Sequence, residues 1–188
     1  MAYPSPAAWQ LHTVRGRRKY LNPAERVRFL AAADQAPPQL RAFCLVLAWT
    51  GCRLSEALDL APTDLDTTAG SMAIRSLKKR GRAVVREVPV PDRVVAALRA
   101  LPAPQGRFRP WGRTTAWKYA KAVMRTAEIS GLHASPKGLR HGFGVHAVRS
   151  GVPLNLLQRW LGHEDIATTA IYADVMGAEE REIAARMW

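Results

Sequence analysis

The chain has 188 residues, 48% of them hydrophobic, which suits one domain of ordinary size with a sizeable buried core. Lys and Arg number 28 against 15 Asp and Glu, a formal net charge of +13; a surface this basic asks for an anionic partner, with nucleic acid the default. The start of the chain lacks the apolar segment of a secretory leader, and no run approaches the roughly 18 apolar residues of a membrane span, so a soluble cytoplasmic protein without a membrane partner is expected.

Residues 1–20 read as a basic arm: prolines and small residues first, then Arg15, Arg17, Arg18 and Lys19, all candidate DNA contacts. Asn22 followed by Pro23 reads as a capped helix start, with Val27, Leu30 and Ala31 at helical spacing. Pro37 and Pro38 end that helix and begin another, whose buried stripe is Leu40, Phe43, Cys44, Leu47 and Ala48 and which Gly51 closes. A short helix follows over residues 54–60. The period then changes. Met72, Ile74 and Leu77 precede the basic turn Lys78, Lys79, Arg80 and Gly81, and Val84, Val85, Val88 and Val90 follow it, which reads as a β-hairpin with a basic tip.

Pro91 and Asp92 open the next helix, with Val94, Val95 and Leu98 inward, and residues 102–112 form a loop rich in Pro, Gly and Arg. Helices are predicted over residues 114–129, 136–150 and 153–161, the last stopped by Gly162. A short helix over 166–173 and a final amphipathic one over 178–188 complete the chain. The fold class is mainly α with a small antiparallel β-sheet (α+β). Cys44 and Cys52 lie in or near an apolar stretch, with no CxxC partner and no His at zinc spacing, so they read as buried core and no metal site is expected.

Five pieces carry chemistry, in this order: Thr50-Gly51-Cys52-Arg53-Leu54-Ser55-Glu56, Lys78 on the hairpin tip, Lys137-Gly138-Leu139-Arg140-His141, Leu161-Gly162-His163, and Tyr172. Arginine forks bind phosphate oxygens bidentately, lysine or histidine can deliver a proton to a leaving oxygen, and a tyrosine hydroxyl can attack phosphorus. The ordered set, with His163 and Tyr172 nine residues apart, resembles the tyrosine recombinases, also called the phage integrase family, from about residue 20 onward. The stretch LRHGFGVHAVRSGVPLNLLQRWLGHEDIATTAIYADV carries most of the likeness.

The resemblance implies the catalytic-domain fold of that family and a site-specific recombinase or integrase, of the kind mobile genetic elements use, that needs neither metal nor ATP. It implies that Arg53 and Arg140 clamp the scissile phosphate, that Lys78 protonates the leaving 5′ oxygen, and that His163 bonds the phosphate. Tyr172 would form a 3′-phosphotyrosine link. Lys79 is the alternative to Lys78, which is favoured because it directly follows the strand's last apolar residue; Lys79 and Arg80 are otherwise candidate DNA contacts. Lys137 stands where the family more often has histidine. An ammonium can donate to phosphate but is a poor base near neutral pH, which shifts the expected proton acceptor for Tyr172 to His163. His141 and His146 read as structural, and Glu56 as a residue that orients a neighbouring cation.

The expected partners are double-stranded DNA and further copies of the chain, four of them on two duplexes. Residues 178–188 would pack either on a neighbour or on their own core. Residues 21–188 are expected to form the catalytic domain; where many relatives carry an additional N-terminal DNA-clamping domain only some 20 residues stand here, so either a naturally short member or an excised fragment is expected. Two other functions remain open, a type IB topoisomerase and a DNA-binding regulator derived from a recombinase.

Overall fold

The computed structural model describes residues 10–77, 83–102, 106–108 and 111–173. The first helix, α1 (Pro23–Asp34), begins where its cap dictates. The Asn22 side chain accepts from the Glu25 amide, and the Glu25 carboxylate accepts from the Asn22 amide, so two N–H groups without a partner inside the helix are satisfied. Its buried residues are Phe29 and Ala33 with Glu25 and Arg26; of the three read at helical spacing, Leu30 packs partly buried against the same core, while Val27 and Ala31 are exposed. Arg26 sets that rotation. It reaches inward to donate to the Ala48 carbonyl at 2.7 Å and lies over the Trp49 ring.

The next helix, α2 (Pro38–Thr50), is buried on all sides over residues 42–48 and runs through the centre of the core. Gly51 ends it with a left-handed φ of 60°, and a Cβ at this position would collide with the Phe143 ring. A short helix, α3 (Leu54–Asp59), and a 3-10 turn (Pro62–Asp64) lead into the sheet.

The sheet is antiparallel, with β2 (Ser71–Leu77) between β1 (Leu65–Asp66) and β3 (Ala83–Pro89). The predicted hairpin is β2 and β3; β1 is an addition, too short to leave a periodic signal. Met72 pairs with Val88, and Ile74 with Arg86. Met72, Ile74 and Val88 are buried, and so is Arg86, whereas Val85 is exposed. The inward set at period two is thus Arg86, Val88 and Val90, not the whole run of valines. The hairpin tip, with Lys78, Lys79 and Arg80, lies outside the described residues.

Helices α4 (Asp92–Arg99) and α5 (Arg113–Thr126) pack on the same core. Ser135 caps α6 (Pro136–Arg149) by accepting from the Gly138 amide. The next helix, α7 (Leu154–Leu161), stops at Gly162, again left-handed with φ 67°, and α8 (Ala167–Ala170) is a single turn before Tyr172. The helix predicted over residues 178–188 lies outside the described residues. Among the described residues no helix is long and apolar enough to cross a membrane.

Among the described residues two apolar clusters result. The larger one joins α1, α2, α4, α5 and the sheet. The smaller one gathers Leu11, Phe143, Val145, Leu157, Leu161 and Tyr172 where α6 and α7 meet the N-terminal segment. Leu157 and Leu161 are fully buried there, worth roughly 1.5–3 kcal/mol each, and this packing fixes the segment that carries Tyr172. Of the residues read as an arm, the described ones dock on this cluster through Leu11, and the loop between is closed by a bridge from His12 to Arg18.

Candidate active site

Where α2, α6 and α7 meet, Arg140 is buried with its guanidinium donating to two backbone carbonyls, Gly51 at 2.7 Å and Leu161 at 2.8 Å. These are the carbonyl ends of α2 and α7, where helix dipoles concentrate negative charge, so a buried cation is well matched. Burial, followed by the nearby Arg53, brings the Arg140 pKa down to about 10; the group is still charged at neutral pH.

Arg53 sits at the start of α3, its side chain half exposed. The Glu56 carboxylate accepts from both its amide and its guanidinium at 2.8 Å. Glu56 also accepts from the Ser76 hydroxyl at 2.6 Å and from Arg86 at 2.6 Å. Arg86 in turn donates to Ser76 and, at 2.7 Å, to the Trp160 carbonyl. One carboxylate therefore links α3 with β2 and β3, and Arg86 extends the tie to α7. Burial opposes ionisation of Glu56, but the bond and charge of Arg86, with Ser76 and the Arg53 amide, outweigh it and hold the carboxyl at about 2.

Tyr172 closes the other side. It is 1% exposed, and its ring lies against the backbone of α6 at Gly144, where a Cβ would fall within 2.5 Å of it. Its hydroxyl is 3.0 Å from Nδ1 of His141. Burial pushes the phenol up to about 12, with Arg140 pulling the other way. The His163 ring is parallel to that of Tyr172, centroids 6.5 Å apart, and its Nδ1 is 2.9 Å from the hydroxyl of buried Thr169. Burial, then Arg140 and Arg53, brings His163 down to about 3. For His141 the causes are burial, Lys137, Arg140 and Lys19, and the value is about 4.

Arg53, Arg140, His141, His163 and Tyr172 line one cleft of about 650 Å³. Five predicted residues share it: Arg53, Lys137, Arg140, His163 and Tyr172. Lys137 is exposed at the start of α6, while Lys78 is outside the described residues. Cys52 also faces the cleft, but burial raises its thiol to about 11, so it is protonated at neutral pH. Of the predicted DNA contacts, Arg15 and Arg17 are exposed, Lys19 acts on His141 by its charge, and Arg18 is bonded to Glu25 at 2.8 Å. Lys79 and Arg80 are outside the described residues.

Sequence reasoning missed two residues here. His141, read as structural, touches the Tyr172 hydroxyl; its place inside the LRH motif was the available signal. Arg86 was not singled out, although a charge on the inward phase of a strand marks a buried partner. The cleft sets two fixed guanidiniums opposite a phenol, an arrangement suited to holding an anionic ester while the hydroxyl attacks it.

The sequence profile of the phage integrase family matches residues 19–179. Tyrosine recombinase XerC of Xanthomonas campestris pv. campestris is 35% identical over 183 residues, which cover 89% of this chain and 55% of that protein. The crystal structure of XerA recombinase is similar with a TM-score of 0.76 at 25% identity, over 89% of this chain and 64% of the other. The catalytic domain of bacteriophage HP1 integrase is similar with a TM-score of 0.63, also at 25% identity, over 89% of this chain and 93% of that one. The chain spans about half the length of the curated relatives it matches.

Proposed function

The chain belongs to the phage integrase family, and from that premise we propose that it is a site-specific recombinase that cuts and rejoins double-stranded DNA through a 3′-phosphotyrosine link. The observation that carries this reading is the single cleft that brings Tyr172 together with Arg53 and Arg140. Arg53 and Arg140 hold the non-bridging oxygens of the scissile phosphate, and Lys137 and His163 add donors. Because both arginines are already fixed before DNA arrives, little reorganisation is needed as charge builds on phosphorus. Tyr172 attacks in line, and Lys78 at the hairpin tip gives the leaving 5′ oxygen its proton. The phosphotyrosine conserves the ester's energy, so resealing needs no ATP. The protein's own cations match the phosphate charge, so the step needs no metal.

Among the other basic residues, Arg15, Arg17, Arg18, Lys19, Lys79 and Arg80 serve the DNA backbone, and with a net charge of +13 binding weakens steeply with salt. Synapsis of two duplexes takes four copies, in the cytoplasm. The relatives are named recombinases and integrases, which favours this reading over a type IB topoisomerase. The test is capture. The chain is incubated with a pool of nicked duplexes of random sequence, and DNA that stays attached through denaturation is recovered and sequenced. A recombinase yields an adduct with one enriched site; a chain that binds DNA but yields no adduct is a regulator.

A further inference from the structure

His141 and Tyr172 make a contact that the expected roles leave unused. The two are 31 residues apart in sequence, both buried, and the phenol oxygen lies 3.0 Å from Nδ1. The other candidates for handling the phenolic proton are otherwise placed. The Nδ1 of His163 is taken up by Thr169, and its ring lies parallel to that of Tyr172 rather than bonded to the hydroxyl. Lys137, one turn before His141 on α6, is an exposed ammonium, which is a donor and not an acceptor. We propose that His141 takes the proton from the Tyr172 hydroxyl as it attacks phosphorus. The inference rests on the recombinase reading above.

The surroundings of His141 tie that base to the presence of DNA. Lys137 and Arg140 reach it from its own helix and Lys19 from the segment before α1; Tyr172 and His163 face it from the chain after α7, and Arg53 lies beyond Arg140. Burial and these cations keep the imidazole uncharged in the free protein, and in the tautomer with its proton on Nε2 the Nδ1 atom offers a lone pair to the phenol. Its basicity there is weak. A phosphodiester seated between Arg53, Arg140 and Lys137 brings negative charge that offsets the cations and grows in the transition state. The imidazole gains basicity only once DNA is in place.

The step balances. The Tyr172 oxygen–phosphorus bond forms and the bond from phosphorus to the 5′ oxygen breaks. The phenolic proton moves to Nδ1 of His141, and the 5′ oxygen leaves with a proton from the donor assigned to Lys78. In resealing the 5′ hydroxyl gives its proton back to that same donor as it attacks phosphorus, the bond from phosphorus to the Tyr172 oxygen breaks, and the imidazolium returns its proton to the phenolate.

The test uses the full chain and the duplex recovered from the nicked pool. His141→Asn keeps an oxygen that can accept the hydroxyl's hydrogen bond but cannot carry the proton away. The expected variant melts and binds the duplex as the parent does, yet forms phosphotyrosine about 100-fold more slowly at neutral pH, the usual size of a lost general base. Its rate rises at least about tenfold between pH 7 and pH 9 as hydroxide substitutes for the missing base, each pH unit carrying ten times more hydroxide. If the variant stays within threefold of the parent at every pH, the contact only positions the hydroxyl and the inference is overturned. A variant faster than the parent overturns it too, because the contact then restrains Tyr172. Should His141→Asn fail to fold, His141→Gln takes its place with the same criteria. A parent that forms no adduct overturns the recombinase reading itself, whereas an active parent with an equally active variant overturns the inference alone.

Discussion

On one wall of the cleft the guanidiniums are locked in place: Arg140 between two backbone carbonyls and Arg53 on the carboxylate of Glu56, which also holds buried Arg86. On the other wall Tyr172 is held by packing on Gly144 and by a hydrogen bond to an imidazole. On the proposed function, the difference follows from what each group must do. An arginine keeps its charge whatever it is bonded to, so ionic partners and burial can immobilise it at no cost to its task. A nucleophile must lose a proton, so a permanent ionic partner would compete with the reaction. The clamp is therefore part of the fold, while the tyrosine is set into a slot.

If that contrast holds, damage to the tyrosine wall costs chemistry and little stability, and damage to the clamp costs both. The largest effect is expected from Tyr172→Phe, which abolishes the covalent DNA adduct on a denaturing gel while removing only about 1 kcal/mol of stability, one buried hydrogen bond. Next comes Arg140→Lys. A lysine cannot span both carbonyls and a phosphate, and cleavage should slow by about 10³-fold in single-turnover assays.

Glu56→Gln should act chiefly on the fold. It leaves buried Arg86 without its counter-charge, and urea unfolding at neutral pH should show a loss of about 3–5 kcal/mol. The sign of the pH dependence is fixed by the carboxyl's depression from 4.5 to about 2. Its stabilisation is fully present above pH 4.5 and is lost as pH falls toward 2, so the gap between parent and variant closes over that window. A gap that persists to pH 2 would show that Glu56 is not the ionised partner. The smallest effect belongs to Thr169→Val, which strips His163 of its Nδ1 partner: a few-fold slower cleavage, about the worth of one hydrogen bond, with DNA affinity unchanged.

Much of this architecture was legible beforehand, for physical reasons. Asn22, Pro23, Gly51 and Gly162 act through local backbone geometry, so helix ends could be read from neighbours in the chain. The site's ordered motif was legible too, and Arg53, Lys137, Arg140, His163 and Tyr172 do line one cleft. What escaped depends on partners distant in sequence. Arg86 faces inward because Glu56 awaits it from 30 positions away, and counting valines hid that alternation. The rotation of α1 depends on the Ala48 carbonyl that Arg26 finds. The meeting of His141 with Tyr172 requires Gly144 to admit the ring against α6.

The anchoring of Arg140 on the last carbonyls of two helices has a further consequence. Helix ends are the places that fray first, and either one fraying removes half of what orients this guanidinium. On the reading proposed above, strand cleavage is thus conditional on intact tertiary structure, and a copy loosened by heat or ageing would lose the ability to open a strand before the ability to bind one. On the proposed reading, a failing molecule goes silent on DNA instead of leaving a break that it can no longer reseal.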